Sequence, residues 1–237
     1  MLSVNNLTKK YGKTVACEDV SFDLPAGSVT VLLGPNGAGK STVIKSIIGF
    51  LRYEGEISVL GIPNKTVEAK RIVGYIPEIP SLYPNLTVSE HMEFIARAYR
   101  LKDYKEYSDE LFERFELYDK KKKFGDELSK GMQQKLNICL GLLPRPKVIL
   151  FDEPMIGLDP HAIKELKSII GTLREEGASI LVSTHMIESI DMLWDRALIM
   201  KKGKICAEVR REELSEGGES LEDIFFRITE GEEGKTE

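Results

Sequence analysis

The sequence predicts an α/β fold with a mainly parallel central sheet, an antiparallel β subdomain and a helical lobe inserted between two sheet-forming halves. Three observations lead there. Short β-branched runs alternate with segments of helical period. One such run, Ser28 to Leu33, feeds directly into a glycine-rich turn and then an apolar-periodic helix. The stretch from Thr87 to about Leu143 is helical in pattern, with strand-type runs on both sides of it.

In chain order, Leu2 to Leu7, Val15 to Leu24 and Glu54 to Leu60 read as antiparallel strands with polar turns. Ser28 to Leu33 reads as a buried strand, followed by a helix from about Ser41 to Phe50. Arg71 to Ile76 reads as a further strand. Thr87 and Ser89 are both placed to cap the first helix of the lobe. Val148 to Phe151 and Ser179 to Val182 are runs of the buried, parallel-sheet kind. Ala197 to Met200 and Ile205 to Val209 flank Lys201-Lys202-Gly203-Lys204, which predicts a hairpin. Leu221, Ile224, Phe225 and Ile228 fall at helical spacing, so a short amphipathic helix docks on its own core. The stretch from Thr229 to Glu237 reads as a frayed acidic tail.

Composition bounds the function. Across 237 residues, 42% are hydrophobic and 30% charged, which suits a folded domain. The net charge of −5 supplies no basic field, so no nucleic-acid partner is expected. Cys17, Cys139 and Cys206 form no CxxC pair and read as reduced thiols of a cytosolic protein, mostly buried. The N-terminal stretch lacks the apolar segment of a signal peptide, and no run reaches the ~18 apolar residues needed to span a bilayer. Any membrane span would come from another chain.

The chemistry is written in two segments. Gly34-Pro35-Asn36-Gly37-Ala38-Gly39-Lys40-Ser41-Thr42 satisfies GxxxxGK[ST] between a strand and a helix. Its glycines let the backbone curl so that N–H groups point at anionic oxygens, and the helix start adds its positive dipole end. Lys40 can reach the β- and γ-phosphates of a nucleotide, Ser41 can ligate Mg²⁺, and Thr42 can add a phosphate contact. In the second segment, Val148 to Phe151 places Asp152 at the carboxyl end of a central strand, where open α/β sheets bind ligands. Asp152 suits a Mg²⁺ partner, and Glu153 suits a base for the attacking water.

Between these segments lies Leu128-Ser129-Lys130-Gly131-Met132-Gln133-Gln134, which resembles the LSGGQ signature of ABC proteins. The resemblance runs from Tyr11 to about Val209. Lys130 stands where glycine is usual and Met132 where glutamine is usual. A P-loop NTPase core is implied, with residues 1–210 as one ATPase domain carrying the lobe at 87–143, and 211–237 as an extension. The resemblance also implies that Ser129 and Gly131 face the γ-phosphate held by a second subunit. Asp159 resembles the residue coupling two sites across a dimer; locally it also suits a cap before Pro160. His185 resembles the switch histidine that contacts the γ-phosphate. Tyr11 resembles the aromatic that stacks on adenine. Glu78 stands where the family commonly has glutamine. As a carboxylate it only accepts hydrogen bonds, so it either ligates Mg²⁺ directly or needs the metal to offset its repulsion from phosphate. His91 and His161 lack comparable context and read as surface residues.

The implied function is an ATP-hydrolysing motor subunit that closes as a homodimer or heterodimer around two ATP. It would drive transport, in the export direction, through a separate integral permease at the cytoplasmic face of the cell membrane. The segment Ile79-Pro80-Ser81-Leu82-Tyr83-Pro84 reads either as the cleft that receives the permease or as packing between core and lobe. Lys120 to Lys123 reads as a solvated loop or a contact with anionic lipid. A soluble ABC ATPase with a non-transport assembly role is the alternative. A GTPase is disfavoured, because Asn64-Lys65-Thr66-Val67 lacks the guanine-reading aspartate.

Overall fold

The computed structural model describes residues 1–190, 193–214 and 218–230. In chain order the elements are β1 (Leu2–Tyr11), β2 (Thr14–Leu24), β3 (Ser28–Leu33), α1 (Lys40–Ile47), β4 (Glu54–Val59), β5 (Ile62–Pro63), α2 (Val67–Ile72), β6 (Val73–Ile76), α3 (Val88–Tyr99), α4 (Lys105–Arg114), α5 (Lys130–Leu142), β7 (Val148–Asp152), α6 (Pro160–Glu175), β8 (Ser179–Thr184), β9 (Arg196–Lys201), β10 (Lys204–Arg210) and α7 (Leu221–Glu230).

Two sheets result. One is antiparallel, in the order β2-β1-β4-β5; the other runs β10-β9-β3-β8-β7-β6. In the second, β9, β3, β8, β7 and β6 are parallel, and only β10 runs against its neighbour. Every residue of β7 and β8 is buried, which explains why these strands carry continuous apolar runs rather than alternation. Lys202 and Gly203 both have positive φ, 48° and 82°, so the β9–β10 hairpin closes with the two-residue turn whose twist matches its strands.

Three expected boundaries shift for local reasons. Arg71 and Ile72 do not belong to a strand. The Thr66 hydroxyl accepts the Ala69 N–H at 3.2 Å and starts α2, so pairing with β7 begins only at Val73. The first helix ends at Ile47, short of Phe50: Gly49 takes φ 79°, and the Phe50 N–H returns to the Lys45 carbonyl. The strand expected at 2–7 continues to Tyr11 through irregular pairing, where Asn6 donates to Asp19 at 2.7 Å.

The helical lobe lies between β6 and β7. Of the two candidate caps, Thr87 is the one used. Its hydroxyl accepts the Glu90 N–H while the Glu90 carboxylate accepts the Thr87 N–H, a reciprocal capping box. The lysine run is part of the same construction: the Lys123 and Lys121 carbonyls accept the first free N–H groups of α3, from Val88 and Ser89. The Lys121 ammonium lies over the Tyr118 ring and 2.5 Å from Asp109. The lobe has no separate core. Met92, Phe112, Phe115 and Leu136 share one buried cluster with Val29, Ile149, Phe151 and Val182 of the sheet and with Leu166 and Ile170 of α6.

The helix expected near the end forms as α7. Leu221 and Phe225 are buried on β9, with Ile224 and Ile228 partly buried beside them. Thr229 and Glu230, expected in the frayed tail, instead belong to α7, where the Thr229 hydroxyl donates to the Phe225 carbonyl at 2.8 Å; residues 231–237 lie outside the described residues. Cys17 and Cys139 are buried and Cys206 is exposed. Among the described residues, no helix is long and apolar enough to cross a membrane.

Candidate functional site: a phosphate-shaped cleft

The register of the parallel sheet sets the site. Leu33 pairs with Thr184 and Asp152 with Ser183, while Phe151 pairs with Ile76. The loops leaving β3, β8, β7 and β6 therefore open at one edge, the carboxyl edge where α/β sheets take ligands. There they line a cleft of about 540 Å³ bounded by Thr14 to Ala16, Asn36 to Thr42, Glu78, Glu153, Ile156 and His185.

The loop from Gly34 to Gly39 is held in a shape that side chains would break. A Cβ on Gly34 would lie 2.6 Å from the Met200 carbonyl oxygen. Gly39 has φ 107°, and a Cβ there would lie 2.6 Å from the Ala16 carbonyl oxygen. Gly39 is also the cap of α1 and offers no side chain to it, so the first N–H groups of the helix face the cleft without a side-chain acceptor. Lys40 is buried. Its ammonium donates to the Gly34 carbonyl at 2.7 Å and lies 3.3 Å from Glu153 Oε1.

Beneath the loop is an oxygen cluster. Ser41 Oγ donates to Asp152 Oδ1 at 3.1 Å, and Ser183 Oγ donates to the same oxygen at 2.6 Å. These are hard oxygen donors at a helix start, suited to a small divalent cation such as Mg²⁺. Glu153 follows in a left-handed conformation, φ 49°, which is uncommon and costly for glutamate. Its N–H is held by the Ser183 carbonyl at 3.1 Å. This turn brings the carboxylate under the phosphate loop, where Oε1 meets His185 Nδ1 at 2.9 Å. The site is locally acidic, and it acts on Tyr75: burial first, then the charges of Asp152 and Glu78, push the Tyr75 phenol far above its ordinary value.

Most of the remaining candidates sit elsewhere. Ser129 caps α5 by accepting the Met132 N–H at 3.3 Å. Gly131 packs against the 157–159 loop, because a Cβ there would lie 3.0 Å from the Gly157 carbonyl oxygen. Asp159 caps α6 through the Ala162 N–H and meets the Lys135 ammonium at 2.7 Å. Ser129, Gly131 and Asp159 thus form a second group outside the walls of the cleft. Tyr11 ends β1 with its ring half exposed and Lys9 over one face; it does not line the cleft either. Glu78 lines the cleft but is exposed.

One expectation is overturned. His91 is not a surface residue: it is 3% exposed. Its Nε2 accepts the Tyr83 N–H at 2.9 Å, and its Nδ1 pairs with the Thr87 carbonyl at 2.8 Å. His91 faces inward because it lies on the same side of α3 as Val88 and Met92. His161 is exposed.

Three residues join the site that the motifs did not single out. Ser183 bonds to Asp152. Asn137 donates to the Pro77 carbonyl at 2.9 Å and to Gln134 at 3.2 Å, and Gln134 donates to the Pro154 carbonyl at 3.3 Å. Helix α5 thereby grips the loop that carries Glu78 and the loop that carries Glu153. A polar residue ending an apolar strand was the available signal for Ser183. Polar residues on the buried side of an otherwise apolar helix were the signal for Gln134 and Asn137.

The ABC transporter family profile matches residues 17–156. The chain is 35% identical to the ABC-type transporter ATP-binding protein EcsA of Bacillus subtilis, covering 99% of this chain and 98% of that one. It is 31% identical to the SkfA peptide export ATP-binding protein SkfE of the same organism, covering 97% and 98%. Among solved structures it resembles an ATP-binding subunit of an ABC transporter, with TM-score 0.86 at 36% identity over 90% of this chain and 91% of that one. It also resembles a bacterial ABC transporter cassette solved as a dimer, with TM-score 0.80 at 27% identity over 89% and 98%.

Proposed function

The chain belongs to the ABC transporter family, as an ATP-binding subunit with ATPase activity, and on that premise we propose how its residues divide the work. The observation that carries the reading is the convergence of Lys40, Glu153 and His185 around one carboxylate at the mouth of a glycine-shaped cradle. The loop Gly34 to Gly39 and the start of α1 receive the phosphates of ATP. Lys40 exchanges its carboxylate and carbonyl partners for β- and γ-phosphate oxygens. Thr42 adds a phosphate contact, and Tyr11 stacks on the adenine. Ser41 and Asp152 hold Mg²⁺, with Glu78 as a further oxygen ligand at the exposed rim. When bound, the metal neutralises charge on the phosphates.

Glu153 draws the proton from the attacking water. His185 fixes the Glu153 carboxylate through Nδ1 and keeps its other nitrogen for the γ-phosphate. The second group, Ser129, Gly131 and Asp159, acts on the nucleotide of a partner copy, because none of the three faces the cleft of its own chain. Two copies, identical or related, thus enclose two ATP. Hydrolysis removes the shared charge that favours the closed state, and the subunits part.

The partner surface is the segment after Glu78. It divides: Leu82 packs against the core shared by lobe and sheet, while Ile79 and Tyr83 are 77% and 54% exposed. Exposed apolar side chains bordering the Glu78 loop suit a docked permease at the cytoplasmic face of a membrane, and transport runs in the export direction. The test is affinity capture of the tagged chain from detergent-solubilised membranes of its native host. Recovery of a multi-span integral protein, lost on Ile79→Asp with ATPase activity retained, is the expected result. Recovery of active chain only from the soluble fraction, without an integral partner, would favour the assembly-ATPase reading.

A further inference from the structure

The residues that follow His185 are not held by the nucleotide-binding edge alone. Past His185 the chain makes a tight 3-10 turn over Ile187–Ser189. Ile190 is 1% exposed and Trp194 4%, and Ile187 is partly buried with them. They are buried in one cluster with Val31 and Leu33 of β3, Ile199 of β9, and Leu221 and Phe225 of α7. Leu33 is the residue immediately before the phosphate loop. Helix α7 therefore shares one buried cluster with the segment that leads out of His185 and with the strand that leads into Gly34.

The helix is built to stay there. Ser220 caps it, accepting the Asp223 N–H at 3.1 Å and donating its own N–H to the Asp223 carboxylate at 3.0 Å. At its other end the Lys201 ammonium, from the β9–β10 hairpin, donates to the Ile228 carbonyl at 2.9 Å. A cation on the last turn of a helix favours both its dipole and its open carbonyls. A helix of ten residues is marginal alone, so α7 exists because its apolar face is buried.

We propose that Phe225 of α7 is a positioning residue for His185: by closing the cluster around Ile187, Ile190 and Trp194, it sets the path of the chain that carries the imidazole to Glu153. Among the described residues, the His185 side chain makes one hydrogen bond, the 2.9 Å contact of Nδ1 with Glu153 Oε1. Its backbone N–H adds a 3.4 Å contact to the same carboxylate. Nothing in that pair resists a shift of the loop as a whole; the apolar cluster does. Loss of the cluster lets imidazole and carboxylate drift together or apart, and the hydrolytic step suffers while the phosphate cradle, made from β3 and α1, keeps its shape. This inference rests on the proposed role of His185.

Trp194 is the single tryptophan of the chain, so the cluster reports on itself. The test uses the full-length protein and compares Phe225→Ser, Phe225→Leu and His185→Ala with wild type. Steady-state ATPase, affinity for a fluorescent ADP analogue, thermal melting and tryptophan emission are read for each. Phe225→Ser is expected to shift emission to the red and to lower kcat by about tenfold or more, the scale of misplacing a catalytic group. ADP affinity stays within about twofold of wild type, since misplacement acts on the reaction step rather than on uniform binding. Phe225→Leu, which keeps an apolar contact, restores both emission and most of kcat. Red-shifted emission with wild-type kcat would overturn the proposal, and so would a parallel loss of ADP affinity and kcat, which marks general unfolding. If His185→Ala keeps wild-type kcat, the histidine's role has failed, independently of what Phe225 does.

Discussion

Lys40 and Glu153 form a buried ion pair, Nζ to Oε1 at 3.3 Å, with both side chains 6% exposed. A buried ammonium needs a compensating charge, and here the compensation comes from the residue proposed to activate water. The same oxygen is 2.9 Å from His185 Nδ1. In the proposed mechanism, arriving phosphate oxygens would take over the lysine and leave Glu153 free to face the water, so that nucleotide binding and base activation would be one rearrangement.

Glu153→Gln follows from that exchange. The amide removes the base and also removes a negative charge that opposes the incoming phosphate. The expected outcome is a kcat lowered by about 10²–10⁴-fold, the usual contribution of a general base, with ATP affinity equal to or above wild type. Phosphate-release kinetics and equilibrium binding check it; turnover at the wild-type rate would remove Glu153 from the mechanism.

Asn137 ties the lobe to the Glu78 loop through the Pro77 carbonyl, and to Gln134, which reaches the loop after Glu153. Asn137→Ala leaves the Pro77 carbonyl without that donor and loosens the Glu78 loop from α5. The expected cost is about 1–3 kcal/mol in chemical denaturation, with a fall in kcat beyond what stability explains. A variant of wild-type stability and rate would mean that the link is idle.

Asp159 gives a pH-dependent contribution. Its carboxyl sits below the ordinary aspartate range, first through the hydrogen bond from Lys135 and next through the Ala162 N–H. Burial alone would push the Lys135 ammonium down, but its bonds to Asp159 and Glu116 outweigh burial and hold it above its usual value. A carboxyl lowered on folding contributes stability that is complete above its unfolded value, and that stability fades as pH falls through the lowered one. Asp159→Asn keeps the cap and loses the charge. The deficit at pH 7 should be under ~1 kcal/mol, because the carboxylate is half exposed and screened. It should shrink as the pH drops below ~3.9. Urea melts of both proteins across pH 3 to 7 measure the difference.

Thr87→Ala removes the hydroxyl half of the α3 capping box. The expected loss is about 1 kcal/mol, or about 2–4 °C in Tm for a chain of this size. ATPase activity at 25 °C should not change, since Thr87 touches no part of the cleft.

How much of this was legible in the sequence depends on range. The phosphate loop was legible because glycine spacing, a preceding strand and a following helix are local facts, and the structure gives Gly34 and Gly39 a steric reason and Gly37 a positive φ of 82°. The places of the strands along the chain and the inserted position of the lobe followed from periodicity, whereas the order of strands within each sheet did not. The histidines divide the rest. His185 was legible from the strand before it, whereas His91 was misread. One of its partners, the Tyr83 N–H, lies in a loop whose path no local pattern reveals. The grip of α5 on two loops was hidden for the same reason. Gln134 and Asn137 make their bonds to backbone carbonyls 20 and 60 residues away. The strand at Arg71 was misplaced because a one-residue cap, Thr66, outweighed a β-branched run.

The central claim is that one copy's Lys40 loop and another copy's Ser129 helix start hold the same triphosphate. A structure of Glu153→Gln with Mg²⁺ and ATP measures this directly. The expected result is a closed pair of chains, with the Ser129 hydroxyl and the Gly131 N–H of one copy in hydrogen-bonding reach of the γ-phosphate bound by Lys40 of the other. A nucleotide-loaded assembly in which Ser129 and Gly131 lie away from every γ-phosphate would contradict it.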